Sequence, residues 1–257
     1  MPSTNTPQRV AVVTGGAMGI GAEVCRRLGA AGFTVVVADR DQTAAETTAA
    51  QLRAEGAVAE AQAIDVGDAA SVDSAFAAIE QRHGRCDVLV NSAGIAKVYP
   101  FLEFPDDNFA ATMAVNVTGT FLCSQRAARL MVRNQWGRIV NIASVAGMRA
   151  VGTGRTAYGT SKGAVIALTR QMAVELAEQG VTANAVAPGP VDTPMTRALH
   201  TEQFRREYEK AIPMNRYGTV GEIAAAVMYL VSEDAGFVTG VTLPVDGGFL
   251  ASGARGI

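Results

Sequence analysis

VAVVTGGAMGIG, Val10–Gly21, decides how the rest of the chain is read. Its first half is a continuous apolar, β-branched run of the kind that suits a strand covered on both faces. Its second half spaces Gly15, Gly19 and Gly21 as T-G-x-x-x-G-x-G, just where a helix begins. Glycines at such a turn let backbone approach a pyrophosphate, and the amino end of the following helix favours negative charge. Turns collect glycine for their own reasons, but this position between strand and helix is the one phosphate binding requires. Gly15, Met18, Gly19, Ile20 and Gly21 are therefore candidate dinucleotide contacts.

The next apolar run, TVVVAD, ends in Asp39. A carboxylate there is placed to accept hydrogen bonds from adenosine ribose hydroxyls and to repel a 2′-phosphate. Arg40 follows with the opposite preference, because a guanidinium pairs well with phosphate. The pair predicts NAD rather than NADP. Asp65-Val66, at the end of a third strand, is placed to hold adenine through a carboxylate and a neighbouring amide, although strand-end acids also serve as turn residues.

Further on, VLVN ending at Asn91, RIVNIAS ending at Ser144, VTANAVAP and VTLPVDGG repeat the strand signature. Segments 20–31, 43–55, 69–82, 108–132, 156–178 and 220–231 are long enough, and free enough of proline, to read as helices. Alternation of this kind predicts the α/β class: a single-domain, Rossmann-type doubly wound parallel sheet of about seven strands with helices on both faces. No seam divides residues 1–257. Residues 189–218 read as an irregular excursion, and a mobile substrate lid is expected there.

Bulk properties exclude several functions. Apolar residues make up 49% and charged residues 18%, enough for a large core, and a net charge of −2 offers no basic field for nucleic acid. Cys25, Cys86 and Cys123 are odd in number and widely spaced, which suggests neither a disulfide framework nor a zinc site. The start MPSTNTPQR lacks an apolar signal core, so a cytoplasmic protein without membrane association is expected.

Near the middle stands YGTSK, with Tyr158 and Lys162 one helical turn apart on a shared face. Such a pair is usually just part of a solvated surface. Together with TGGAMGIG, NSAG at 91–94, Asn116 and Ser144, in that order, it resembles the short-chain dehydrogenase/reductase family over nearly the whole chain. The resemblance implies Tyr158 as general acid/base, Lys162 as the cation that lowers its pKa and holds nicotinamide ribose, Ser144 as the group orienting the reacting oxygen, and Asn116 as support for a water-linked proton path. A free phenol, with a pKa of about 10, needs such help to act as a base near neutrality. Asn91, Ala93 and Gly94 belong by the same resemblance to the cofactor site, with Ser92 standing where the family usually has a second asparagine. PGPVDTP at 188–194 looks like the segment that brings Pro188, Gly189, Val191 and Thr193 to the nicotinamide carboxamide. No metal is required.

The implied activity is hydride transfer between NAD(H) and a secondary alcohol or ketone of diol, polyol or hydroxyacyl type. The alternative is a 3-oxoacyl thioester reductase using NADPH. Two rivals differ in class: a dinucleotide-binding protein without catalysis, and a serine hydrolase built on Gly159-Thr160-Ser161-Lys162-Gly163 with Asp192 and His200. Substrate contacts are expected from 95–100, 145–155 and the lid, where Lys97, Arg149 and Arg155 offer positive charge. The family usually forms homotetramers, and the apolar end VTLPVDGGFLASG is the expected interface segment.

Overall fold

The computed structural model describes residues 8–253. Its strands are β1 (Val10–Thr14), β2 (Thr34–Asp39), β3 (Val58–Ala63), β4 (Val88–Asn91), β5 (Gly137–Ile142), β6 (Val181–Pro188) and β7 (Thr242–Val245). They form one seven-stranded sheet in the order β3-β2-β1-β4-β5-β6-β7, parallel throughout. Between them run α1 (Gly19–Ala30), α2 (Gln42–Ala54), α3 (Ala69–His83), α4 (Asp106–Met113), α5 (Gly119–Met131), α6 (Thr156–Leu176), α7 (Pro194–Leu199), α8 (Glu202–Ala211) and α9 (Val220–Val231).

Two apolar layers explain why the strand sequences are apolar without alternation. Ala11 and Val13 of β1 pack with Val24 and Leu28 of α1 and with Ile223 and Leu230 of α9. Val10 and Val12 of the same strand face the other way, onto Phe76 and Ile79 of α3 and Met131 of α5. Each residue of β1 is thus covered, whichever face it takes. Strand order reverses between β1 and β4, and a crevice opens beyond the carboxyl ends of these strands, where open α/β sheets take their ligands.

Several boundaries differ from the sequence reading. β3 stops at Ala63, so Asp65 and Val66 lie in the turn beyond it. Asp65 accepts from the Gly67 amide at 2.9 Å, the turn role that strand-end acids often play. The single helix expected over 108–132 starts at Asp106 and widens into a π turn at Ala114–Thr118 before continuing as α5. Residues 189–218 are not irregular: Thr193 and Thr201 cap α7 and α8, their hydroxyls accepting from the amides of Thr196 and Phe204. The apolar end keeps only four residues in β7, then turns at Gly247 and Gly248 so that Phe249 packs under Tyr208 of α8. Among the described residues no helix is long and apolar enough to cross a membrane.

Candidate active site

A cleft of about 350 Å³ occupies the crevice at the strand reversal. One wall is the β1–α1 turn. Gly15 has φ +63, and a Cβ there would lie 2.8 Å from the Ala93 backbone; at Gly21 it would lie 2.1 Å from the Gly15 carbonyl oxygen. Only glycine lets turn, helix and the β4 exit come this close. Helix α1 begins at the cleft with neither a side-chain cap nor an acid in its first turn, so its leading amides have no anionic partner of their own. That uncapped end, beside backbone brought close by glycine, fits the pyrophosphate of a nicotinamide dinucleotide.

Asp39 reaches the cleft from the end of β2. Its carboxylate accepts from the amides of Ala17 and Asp41, both at 3.1 Å, and Thr48 donates to the Ala17 carbonyl at 3.0 Å. The acid thus also holds the glycine turn in shape. Arg40, Asp65 and Val66 line the cleft as well.

At the other end stand Ser144, Tyr158 and Lys162. Ser144 follows β5 and is fixed by accepting from the Ala146 amide at 3.1 Å. Tyr158 and Lys162 lie one turn apart on α6, the ammonium 5.7 Å from the phenol ring centre. Lys162 is 5% exposed and donates to the Ile142 carbonyl at 2.7 Å. Burial lowers its pKa to about 8. The sequence reading made Lys162 the cation that depresses the phenol, and the two side chains do share this end of the cleft. Burial holds Tyr158 above its ordinary value, and the groups that oppose the rise are the Ser144 hydroxyl and the Arg155 guanidinium.

Asn116 and Asn91 stand behind the wall of the cleft. Asn116, in the π turn, accepts from the Ile95 amide at 2.9 Å and donates to the Ile95 carbonyl and the Ser161 hydroxyl, each at 3.0 Å. Ser161 in turn donates to the Tyr158 carbonyl at 2.8 Å. A chain of hydrogen bonds so ties the β4 exit to α6, and a Cβ on Gly94 would stand 3.4 Å from Asn116 Oδ1 and 3.5 Å from Lys162 Nζ. Asn91 points into the core, donating to Ser124 and Asn141, and Gly21 is likewise covered. Their contribution to the site is support.

Met18, Gly19, Ile20, Ala93, Gly94, Pro188, Gly189, Val191 and Thr193 do line the cleft. The Thr193 hydroxyl is engaged in capping α7, with Thr196 donating to the Val191 carbonyl at 2.6 Å. The sequence reading missed Ile64, Val115, Ile142 and Met195 on the walls, apolar residues with no motif to mark them.

The hydrolase constellation does not assemble. Ser161 is buried inside a helix rather than on a strand-to-helix elbow, Asp192 pairs with Arg197 and Arg205, and His200 meets Arg155 and Tyr217.

A family model described as enoyl-(acyl carrier protein) reductase matches residues 15–250. The chain is 39% identical over 240 residues to the 3-oxoacyl-[acyl-carrier-protein] reductase MabA of Mycobacterium bovis, covering 93% of this chain and 92% of that protein. A gluconate 5-dehydrogenase from Burkholderia cenocepacia, solved in complex with NADP and tartrate, superposes with a TM-score of 0.92 at 37% identity, covering 96% and 97% of the two chains. An actinorhodin polyketide ketoreductase solved with NADPH gives 0.90 at 35% identity, covering 94% and 97%.

Proposed function

From the premise that this chain belongs to the short-chain dehydrogenase/reductase family and is an oxidoreductase, we propose that it reduces the ketone of a 3-oxoacyl thioester to the hydroxyl. The observation that carries the reading is Ser144, Tyr158 and Lys162 converging in the cleft, where burial raises the pKa of the phenol above its ordinary value. A protonated phenol is a proton donor, which suits reduction of a carbonyl. The similarity to a 3-oxoacyl reductase and a polyketide ketoreductase supports this substrate class better than the NAD-linked alcohol, diol or polyol oxidation that the sequence reading placed first.

When bound, a nicotinamide dinucleotide supplies the hydride that reaches the carbonyl carbon. Gly15, Gly19 and the α1 amino end hold its pyrophosphate, and Asp65 and Val66 take the adenine. Ser144 and Tyr158 grip the ketone oxygen, and Tyr158 gives it the phenolic proton. The Lys162 ammonium, pinned to the Ile142 carbonyl, favours the phenolate left behind and draws a proton back toward it.

Asp39 supports NADH, because a carboxylate in the ribose end of the cleft repels a 2′-phosphate. Against it stand Arg40 and the phosphorylated cofactors of the two solved neighbours. A homotetramer and a cytoplasmic location go with the reading. Exposed Phe109 and Phe121 on α4 and α5 are apolar surface that assembly would cover, and light scattering measures the mass.

The test follows cofactor absorbance while a 3-oxoacyl thioester is offered with NADH and with NADPH, and a panel of secondary alcohols, diols and polyols with the oxidised forms. Thioester reduction with a higher kcat/KM for NADH is expected. Oxidation of alcohols with no thioester reduction would overturn the substrate assignment, and activity with NADPH alone the assignment of Asp39.

A further inference from the structure

Most arginines of this chain answer to an acid. Arg27 pairs with Glu23, Arg85 with Asp87, Arg126 with Asp73, Arg138 with Glu233 and Arg205 with Asp192. Among the described residues, Arg155 is the one arginine that is not exposed and has no carboxylate within ion-pairing distance. It stands at the amino end of α6, three residues before Tyr158. A guanidinium drawn partly out of water without an anion is costly to keep, and one placed just outside the cleft wall, three residues from the cleft-lining Tyr158, calls for an anionic guest.

The surroundings keep that charge free. Arg155 donates to His200 Nε2 at 2.9 Å, which makes Nε2 an acceptor and leaves Nδ1 to donate to the Tyr217 hydroxyl at 2.9 Å. The imidazole is therefore neutral and cancels none of the positive charge. Burial and the guanidinium groups of Arg155 and Arg205 lower its pKa to about 4, so it stays neutral. His200 is itself set among the rings of Phe204, Tyr208 and Tyr217. Only one of the five guanidinium N–H groups is used in this bond. Arg155 stands at the N-cap of the helix that carries Tyr158, and its His200 partner lies 6.1 Å, ring to ring, from Tyr208 of α8.

We propose that Arg155, held in aim by His200 and Tyr217, binds a carboxylate, and that the same cleft therefore also reduces small oxo acids whose carboxylate lies a few carbons from the ketone. The inference rests on the reading of Tyr158 as proton donor. One half-buried guanidinium matches one monoanion, whereas Lys97 and Arg149 are exposed, Arg149 with its guanidinium over the Phe249 ring. The chemistry balances as in the thioester reaction: hydride from the reduced nicotinamide dinucleotide to the carbonyl carbon, proton from Tyr158 to its oxygen, hydroxy acid and oxidised cofactor as products.

The test offers the protein, with reduced cofactor, 3-oxobutanoate, 4-oxopentanoate and 5-oxohexanoate, each beside its methyl ester, and the neutral 3-oxobutanoyl N-acetylcysteamine thioester. For at least one acid, kcat/KM is expected to exceed that of its ester by about 10- to 100-fold, the worth of a charge-assisted contact. Arg155→Gln should erase that preference, lowering kcat/KM for the acids by at least about tenfold more than for the esters and the thioester, while Arg155→Lys should keep part of it. Esters reduced as well as their acids by the wild-type protein, or a preference that survives in Arg155→Gln, would overturn the proposal. So would an equal loss on acids, esters and thioester, which would make Arg155 a latch for α7 and α8. The acid–ester ratio of the wild-type protein decides even if Arg155→Gln does not fold. A wild-type protein active on the thioester but on none of the acids overturns this inference alone, and one inactive on all of them overturns the reading beneath it as well.

Discussion

Where β1 enters α1 there is no room for one more methyl group: a Cβ on Gly15 would strike the Ala93 backbone and one on Gly21 the Gly15 carbonyl. Across the cleft, α7 and α8 contain no fully buried residue. They are held by threonine caps, by Asp192 bridging to Arg197 and Arg205, and by Arg155–His200–Tyr217. The first wall is backbone packed on backbone, a contact that cannot yield without disturbing the sheet. The second is polar contact joined to a small cluster of rings around Tyr208, the kind that opens at less cost and belongs to a less stable part of a fold. Such a division suits a protein that must hold a cofactor in one geometry and let substrates in and out beside it.

The comparison can be broken at both walls and at the chemistry between them. Tyr158→Phe is expected to lower kcat by about 10³-fold, the scale of a lost proton donor, while the cofactor dissociation constant, read by fluorescence titration, changes less than about twofold. Unchanged turnover would remove Tyr158 from the mechanism. Gly21→Ala should destabilise the whole fold by about 2–3 kcal/mol through overpacking and weaken the cofactor with it, as a lowered Tm and the same titration would register. A variant as stable as the wild type would mean that the tight wall is not tight.

Acid should act on the other wall alone. His200 is kept neutral in the fold with a pKa of about 4, against an ordinary 6.5. Once α7 and α8 open, it takes up a proton more readily, so the stability it lends is present above pH 6.5 and lost as pH falls toward 4. Hydrogen exchange, corrected for its intrinsic pH dependence, should show 194–211 opening more at pH 5 than at pH 7, with 10–21 unmoved. His200→Gln should flatten the difference. The smallest effect is expected from Thr201→Ala, which removes the α8 cap at a local cost of about 1 kcal/mol. Exchange within 202–211 should quicken roughly fivefold, with the global Tm held to about a degree.

Legibility followed the range of the signal. The strands β1 and β2 were read to the residue because each is a short continuous apolar run ended by glycine or acid, a pattern contained in half a dozen positions. The π turn at Asn116 was not, since one extra residue in a helical turn leaves the apolar spacing on either side nearly unchanged. Helices α7 and α8 were taken for loop because their apolar residues are few. Only Tyr208 and Ile212, spaced by four, mark the face that α8 turns inward, while Phe204 one turn earlier stays exposed beside the His200 ring.

From its sequence alone this protein was assigned its layering, the order of glycine turn, Ser144, Tyr158 and Lys162, and the nucleotide at the glycine turn, because each of these depends on contiguous residues or on the succession of strands. Burial is different in kind. Tertiary structure alone decided that burial raises the pKa of the Tyr158 phenol, that Lys162 spends its hydrogen bond on Ile142 O, and that Arg155 meets an imidazole 45 positions away in place of an acid. Desolvation and long-range pairing depend on what surrounds a side chain in space, and no stretch of chain carries that information by itself.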